Sequence, residues 1–68
     1  MKLDSAKLRR IMAAKNFNVS RLAEAANLSP AAINNWLNHG TNPRIDTVGR
    51  LAKALEVDIF DLMEDDLQ

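Results

Sequence analysis

The sequence predicts an all-α fold, a compact bundle of five helices over one domain spanning residues 1–68. Three observations lead there. No stretch alternates apolar and polar residues with the period of a half-buried strand, and no Asn-Gly or Asp-Gly pair marks a hairpin. Apolar residues instead recur at helical spacing along most of the chain. Residues that cap helices (Asp4, Asn18, Ser29 and Asp58) stand just before these stretches.

The first helix is expected over about residues 5–15, with Asp4 as its cap and Leu8, Ile11 and Met12 on one face. Asn16 suits a left-handed stop, because asparagine tolerates positive φ better than most residues. Asn18 caps a second helix over about 19–26 that buries Leu22, Ala23 and Ala26. Asn27 ends it, and Leu28 leads into the next cap. Ser29 caps a third helix over about 30–38, and Pro30 fits its first turn, where no amide hydrogen bond is lost. Ile33, Trp36 and Leu37, at i, i+3 and i+4, form its inward stripe. A fourth helix is expected over about 45–55 with Val48, Leu51, Ala52 and Leu55 inward. Asp58 caps a last short helix over about 59–65 that carries Ile59, Phe60, Leu62 and Met63. Repeats, low-complexity stretches and linkers are absent.

A chain of 68 residues supports one small core. Without cysteine there is no disulfide and no thiolate metal site, so a cytoplasmic setting is the expectation. No apolar run approaches a membrane span, and the start MKLDSAKLRR lacks the apolar stretch of a signal peptide. The sequons at Asn18 and Asn27 are therefore read as helix punctuation. Net charge is zero, yet the charges are segregated. All nine Lys and Arg lie between Lys2 and Lys53 beside only three acids, Asp4, Glu24 and Asp46, a net +6. From Glu56 onward there are six acids and no base, a net −6. A chain divided in this way suits a polyanionic partner better than its overall neutrality suggests.

The second and third helices are separated only by Asn27, Leu28 and Ser29, which forces a tight crossing of the helix-turn-helix kind. The outer face of the third helix carries Ala31, Asn34, Asn35 and Asn38. Asparagine is a middling helix former, so three in five residues is an odd choice for a surface with no task. An asparagine amide can pair with the N6 and N7 edge of adenine, and an alanine methyl can touch that of thymine.

The segments LAEAANLSPAAINNW and NPRIDTVGRLAKALEVDIFDL resemble the phage-repressor and Cro-type helix-turn-helix domains, also called the XRE family. The resemblance runs without a gap from about Leu8 to Met63. It implies a compact five-helix, lambda-repressor-like domain whose third helix enters the major groove of double-stranded DNA. It also implies base contacts from the start of the third helix and from Asn35. Combined with the side-chain chemistry, the expected readers are Ala31, Ala32, Asn34 and Asn35. Asn18 and Asn38 match family positions that bind phosphate. Arg21, Thr41 and Arg44 lie where phosphates would pass.

The chain departs from the family pattern at four places. Asn27 and His39 stand where glycine is usual, with Gly40 available as a late stop. Val19 replaces the glutamine that commonly begins the second helix, so that residue's phosphate bond cannot form. Met12 and Leu37 occupy the positions of a frequent arginine–glutamate bridge. Exchanging both partners for apolar groups keeps the helices packed, whereas losing one would strand a charge.

An enzyme is not expected: there is one histidine, no cysteine, and no nucleophile paired with a base. His39 reads as a helix-end residue, and no cofactor or metal is implied. The expected function is a sequence-specific DNA-binding transcriptional regulator, a repressor, acting as a weak homodimer. Its interface is expected at Ile59, Phe60 and Met63, since with Leu62 these are more apolar groups than one short helix can bury against its own domain. The alternatives are a protein-interaction module or an antitoxin on the same fold, favoured by Val19 and the Pro-Ala-Ala start of the third helix.

Overall fold

A computed structural model describes residues 2–64. Four α-helices follow one another: α1 (Ser5–Ala14), α2 (Val19–Ala26), α3 (Pro30–Asn38) and α4 (Ile45–Leu55). A single 3-10 turn, Ile59–Leu62, completes the order. Each expected cap is in place. The Asp4 carboxylate accepts from the Ala6 and Lys7 amides, the Asn18 side chain from Arg21, Ser29 from Ala32, and Asp58 from Phe60. Arg44 precedes α4 without a side-chain cap, and that helix instead has Asp46 in its first turn.

Three of the four helices end in the same way. Asn16, Asn27 and Glu56 adopt left-handed φ of 60°, 58° and 58°. The next residue then donates its amide back across the last turn: Phe17 to Met12, Leu28 to Ala23 and Val57 to Ala52. Phe17, Leu28 and Val57 pack against the core, so each helix stop doubles as an apolar anchor. Helix α3 has the same order of dihedrals as α1, a C-cap (His39, φ −119°) followed by a positive φ (Gly40, 70°, where glycine carries no Cβ penalty), but without the bond back across its last turn.

The core is one cluster drawn from every element. Leu8, Leu22, Ile33, Val48, Leu51 and Leu62 are fully buried, with Met12, Ala23, Ala26, Ala52 and Leu55 around them. Helix α2 packs on α3 and α4, α1 packs on α3, and the 3-10 turn closes against α1 and α4. The interior holds no buried polar side chain among the described residues, so its cohesion is apolar burial.

The structure corrects several expectations. Helix α1 stops at Ala14, with Lys15 as its C-cap. Ile11, Trp36 and Leu37 are half-buried; on their faces Leu8, Met12 and Ile33 take the interior. The fifth helix expected over 59–65 is a 3-10 turn of four residues, and position 65 lies outside the described residues. A capping box, in which Asp58 and Asp61 satisfy each other's backbone amides, closes that turn after one winding. Met63 then becomes extended and forms an isolated antiparallel bridge with Leu3.

That bridge belongs to a clasp between the two ends of the described chain. Asp4 N donates to Leu62 O at 2.8 Å, and Glu64 N donates to Lys2 O at 2.7 Å. The Lys7 ammonium donates to Met63 O at 2.8 Å, and Leu3 N donates to Asn42 Oδ1 at 3.0 Å. Met63 is consequently 3% exposed, which removes it as an anchor for a second copy. Leu62 is buried and Ile59 partly so, leaving Phe60, 66% exposed, as the only apolar side chain of the turn that stands free. The apolar surplus expected there reduces to that one ring.

Candidate nucleic-acid interface

Helices α2 and α3 are joined by Asn27, Leu28 and Ser29, and each junction residue has a mechanical task. Asn27 turns the chain left-handed, Leu28 drops into the core, and Ser29 caps α3. The hinge is thereby fixed at both ends, and α3 is held against α2 and α1 by the fully buried Ile33.

The face opposite Ile33 is open. Ala31, Asn34, Asn35 and Asn38 are exposed, and their i, i+3, i+4 and i+7 spacing places them on one side of the helix. Ala32 is half-buried and presents only part of its methyl. This outer surface carries amides and methyls without a charge, so base-edge hydrogen bonding, and no bulk attraction, is the chemistry it offers.

Donors for an anion stand on α2, which packs against α3, and on the segment that follows α3. The start of α2 presents unsatisfied backbone amides and the positive end of its dipole. Asn18 stands there with its oxygen committed to the Arg21 amide at 2.7 Å, leaving its amino group free to donate. Arg21 is exposed, with its guanidinium 5.1 Å from the Phe17 ring centroid, which steadies a cation that has no carboxylate partner among the described residues. Beyond α3, Thr41 is exposed, and Arg44 lies 3.6 Å from Asp46 in a pair whose side chains are 86% and 69% exposed. A contact that open is easily exchanged for a phosphate.

A family model for the Cro/C1-type helix-turn-helix DNA-binding domain matches residues 7–68. The chain belongs to this family. Cro/C1-type domains are DNA-binding by description, and the all-helical arrangement with a short α2–α3 turn is that of the family. No curated protein matches the chain. Three solved structures do: a mutant of hydroxyethylphosphonate dioxygenase, native PhpD with cadmium atoms, and PhpD with cadmium and hydroethylphosphonate. Each shows a TM-score of 0.81 at 25% identity over 100% of this chain. The chain spans only 15% of the length of those proteins. Among the described residues, no helix is long and apolar enough to cross a membrane.

The sequence gives no sign of one residue that touches the end of α3. Arg9, on α1, donates from Nη2 to Asn38 Oδ1 at 2.7 Å and to Leu37 O at 3.2 Å. No local pattern could have found it, because the partners are 29 residues apart and an arginine in a first helix reads as surface charge.

Proposed function

We propose that the protein is a sequence-specific regulator of transcription, a repressor, that lays α3 in the major groove of double-stranded DNA. The observation that carries this reading is the open Asn34–Asn35 face of α3, flanked by exposed cations and held on a capped, core-anchored hinge. Asn35 and Asn34 supply the base hydrogen bonds, with methyl contacts from Ala31 and, in part, Ala32, which favours half-sites containing A·T pairs. Asn18, Arg21, Asn38, Thr41 and Arg44 hold phosphates and set the register. The work is recognition, without catalysis, in the cytoplasm.

A homodimer completes the reading. Phe60, freed from the core on the 3-10 turn, is the anchor, with Ile59 beside it. Two copies joined there would present their α3 helices about one DNA turn apart, roughly 34 Å. The alternative, a protein-interaction module or antitoxin, gains support from Phe60 as a lone exposed ring and from Val19 at the start of α2.

Selection from a random pool of duplexes, followed by binding at several salt concentrations, tests the proposal. An enriched, two-fold-related sequence whose affinity falls with salt is the expected result. Failure to retain any duplex at low salt would overturn it in favour of the interaction module.

A further inference from the structure

The two asparagines assigned to phosphates share a detail. Each has its side-chain oxygen occupied by a donor from the protein itself: the Arg21 amide for Asn18, and the Arg9 guanidinium for Asn38, both at 2.7 Å. An N–H group can only donate, so it fixes the amide orientation: oxygen inward, amino group outward. For Asn18 this follows from helix capping. For Asn38 the orientation is imposed by a cation from a different helix.

The end of α3 needs that cation. All four α-helices are followed by a left-handed residue, but only the other three add a backbone bond back across the last turn, whereas α3 closes with just the His39 N to Asn35 O bond. Its last turn contains no basic residue. The carbonyls there carry the negative end of the helix dipole, which repels a phosphate. Arg9 covers the Leu37 carbonyl at 3.2 Å and reverses the local sign. No carboxylate pairs with Arg9 among the described residues. Both of its bonds use Nη2, so among the described residues Nε–H and the Nη1 group of this exposed side chain remain available to donate.

We propose that Arg9 and Asn38 form a single phosphate clamp. Arg9 supplies the charge and turns the Asn38 amide outward, which brings α1 into the nucleic-acid interface. This rests on the DNA-binding reading and specifies a contact which that reading lacks. It also places a cation at the end of α3 although Met12 and Leu37 are both apolar.

The test is a double-mutant cycle on the full chain, using a generic 20-base-pair duplex titrated at several salt concentrations. Arg9→Met should lower affinity roughly eightfold at 0.1 M salt, the factor one released counterion supplies relative to 1 M. The log–log salt slope should fall by about one. Asn38→Ala should weaken binding in the wild type and add little to Arg9→Met, since without Arg9 the amide is no longer held. Arg10→Met is the charge control: Arg10 lines a separate groove with Lys7, Ile11, Val57 and Asp61, and its loss should leave the slope unchanged. Circular dichroism confirms that each variant is folded. Multiplying losses, or equal slopes for Arg9→Met and Arg10→Met, overturn the clamp while DNA binding stands. A wild type that shows no salt-dependent binding overturns both.

Discussion

Glu56 holds a left-handed conformation, φ 58° and ψ 46°, as the last cap of α4, and Glu56→Gly should stabilise the protein. A side chain with a Cβ costs roughly 1–2 kcal/mol in this region. Glycine recovers that cost but brings back about 0.4–1 kcal/mol through the freedom of its unfolded chain. The carboxylate also sits at the negative end of the α4 dipole, an exposed and hence small penalty of a few tenths of a kcal/mol. The hydrogen bonds of the cap are backbone bonds (Glu56 N to Lys53 O, Val57 N to Ala52 O) and survive the change. The net gain is about 1 kcal/mol, or a rise in Tm of roughly 4–8 °C for a domain of this size. Thermal and urea unfolding measure it, with Glu56→Gln isolating the charge contribution, which should vanish at high salt. Asn16→Gly and Asn27→Gly share the geometry but start from a residue that tolerates it, so they should gain less. If all three substitutions shift stability equally, or if Glu56→Gly is neutral, the left-handed cost has been misassigned.

Asn35→Ala should weaken specific binding by roughly 1–3 kcal/mol and relax preference at one base pair, whereas Arg44→Ala should weaken all sequences alike; binding to a panel of mismatched duplexes separates the two. Phe60→Asp should abolish self-association in sedimentation and leave the fold intact. Met63→Ala should instead lose about 2–5 kcal/mol of stability, because that side chain is core; the reverse pattern would contradict their burial. Leu37→Glu should destabilise by roughly 1–3 kcal/mol, less than for a fully buried site, with partial recovery on adding Met12→Arg; additive losses would show that the two positions do not meet.

Much of the fold was legible because its punctuation is local. Asp4, Asn18, Ser29 and Asp58 cap where they stand, and Asn16 and Asn27 turn left-handed, since each acts on amides within a few residues. Glu56 gives no such signal, because glutamate in a left-handed turn is chosen by the fold around it. The last helix was misjudged for a similar reason. Ile59, Leu62 and Met63 already share a stripe that leaves Phe60 about 100° away, but the pairing of Met63 with Leu3 spans nearly the whole chain and has no local trace. The uncharged open face of α3 was legible as composition: alanine and asparagine where a structural surface would carry charge. Arg9 was not, since its role exists only once α1 and α3 are packed together.

The clasp between Leu3 and Met63 gives the domain a particular mode of attachment. The two ends of the described segment, Lys2 and Glu64, lie side by side and antiparallel, like the mouth of a hairpin. A host protein could therefore accept the whole domain in place of a tight turn between two of its strands, without stretching either partner. Such a graft would hold α3 in place relative to the splice, because the Asn42 side-chain oxygen accepts from Leu3 N and ties the segment after α3 to the same junction.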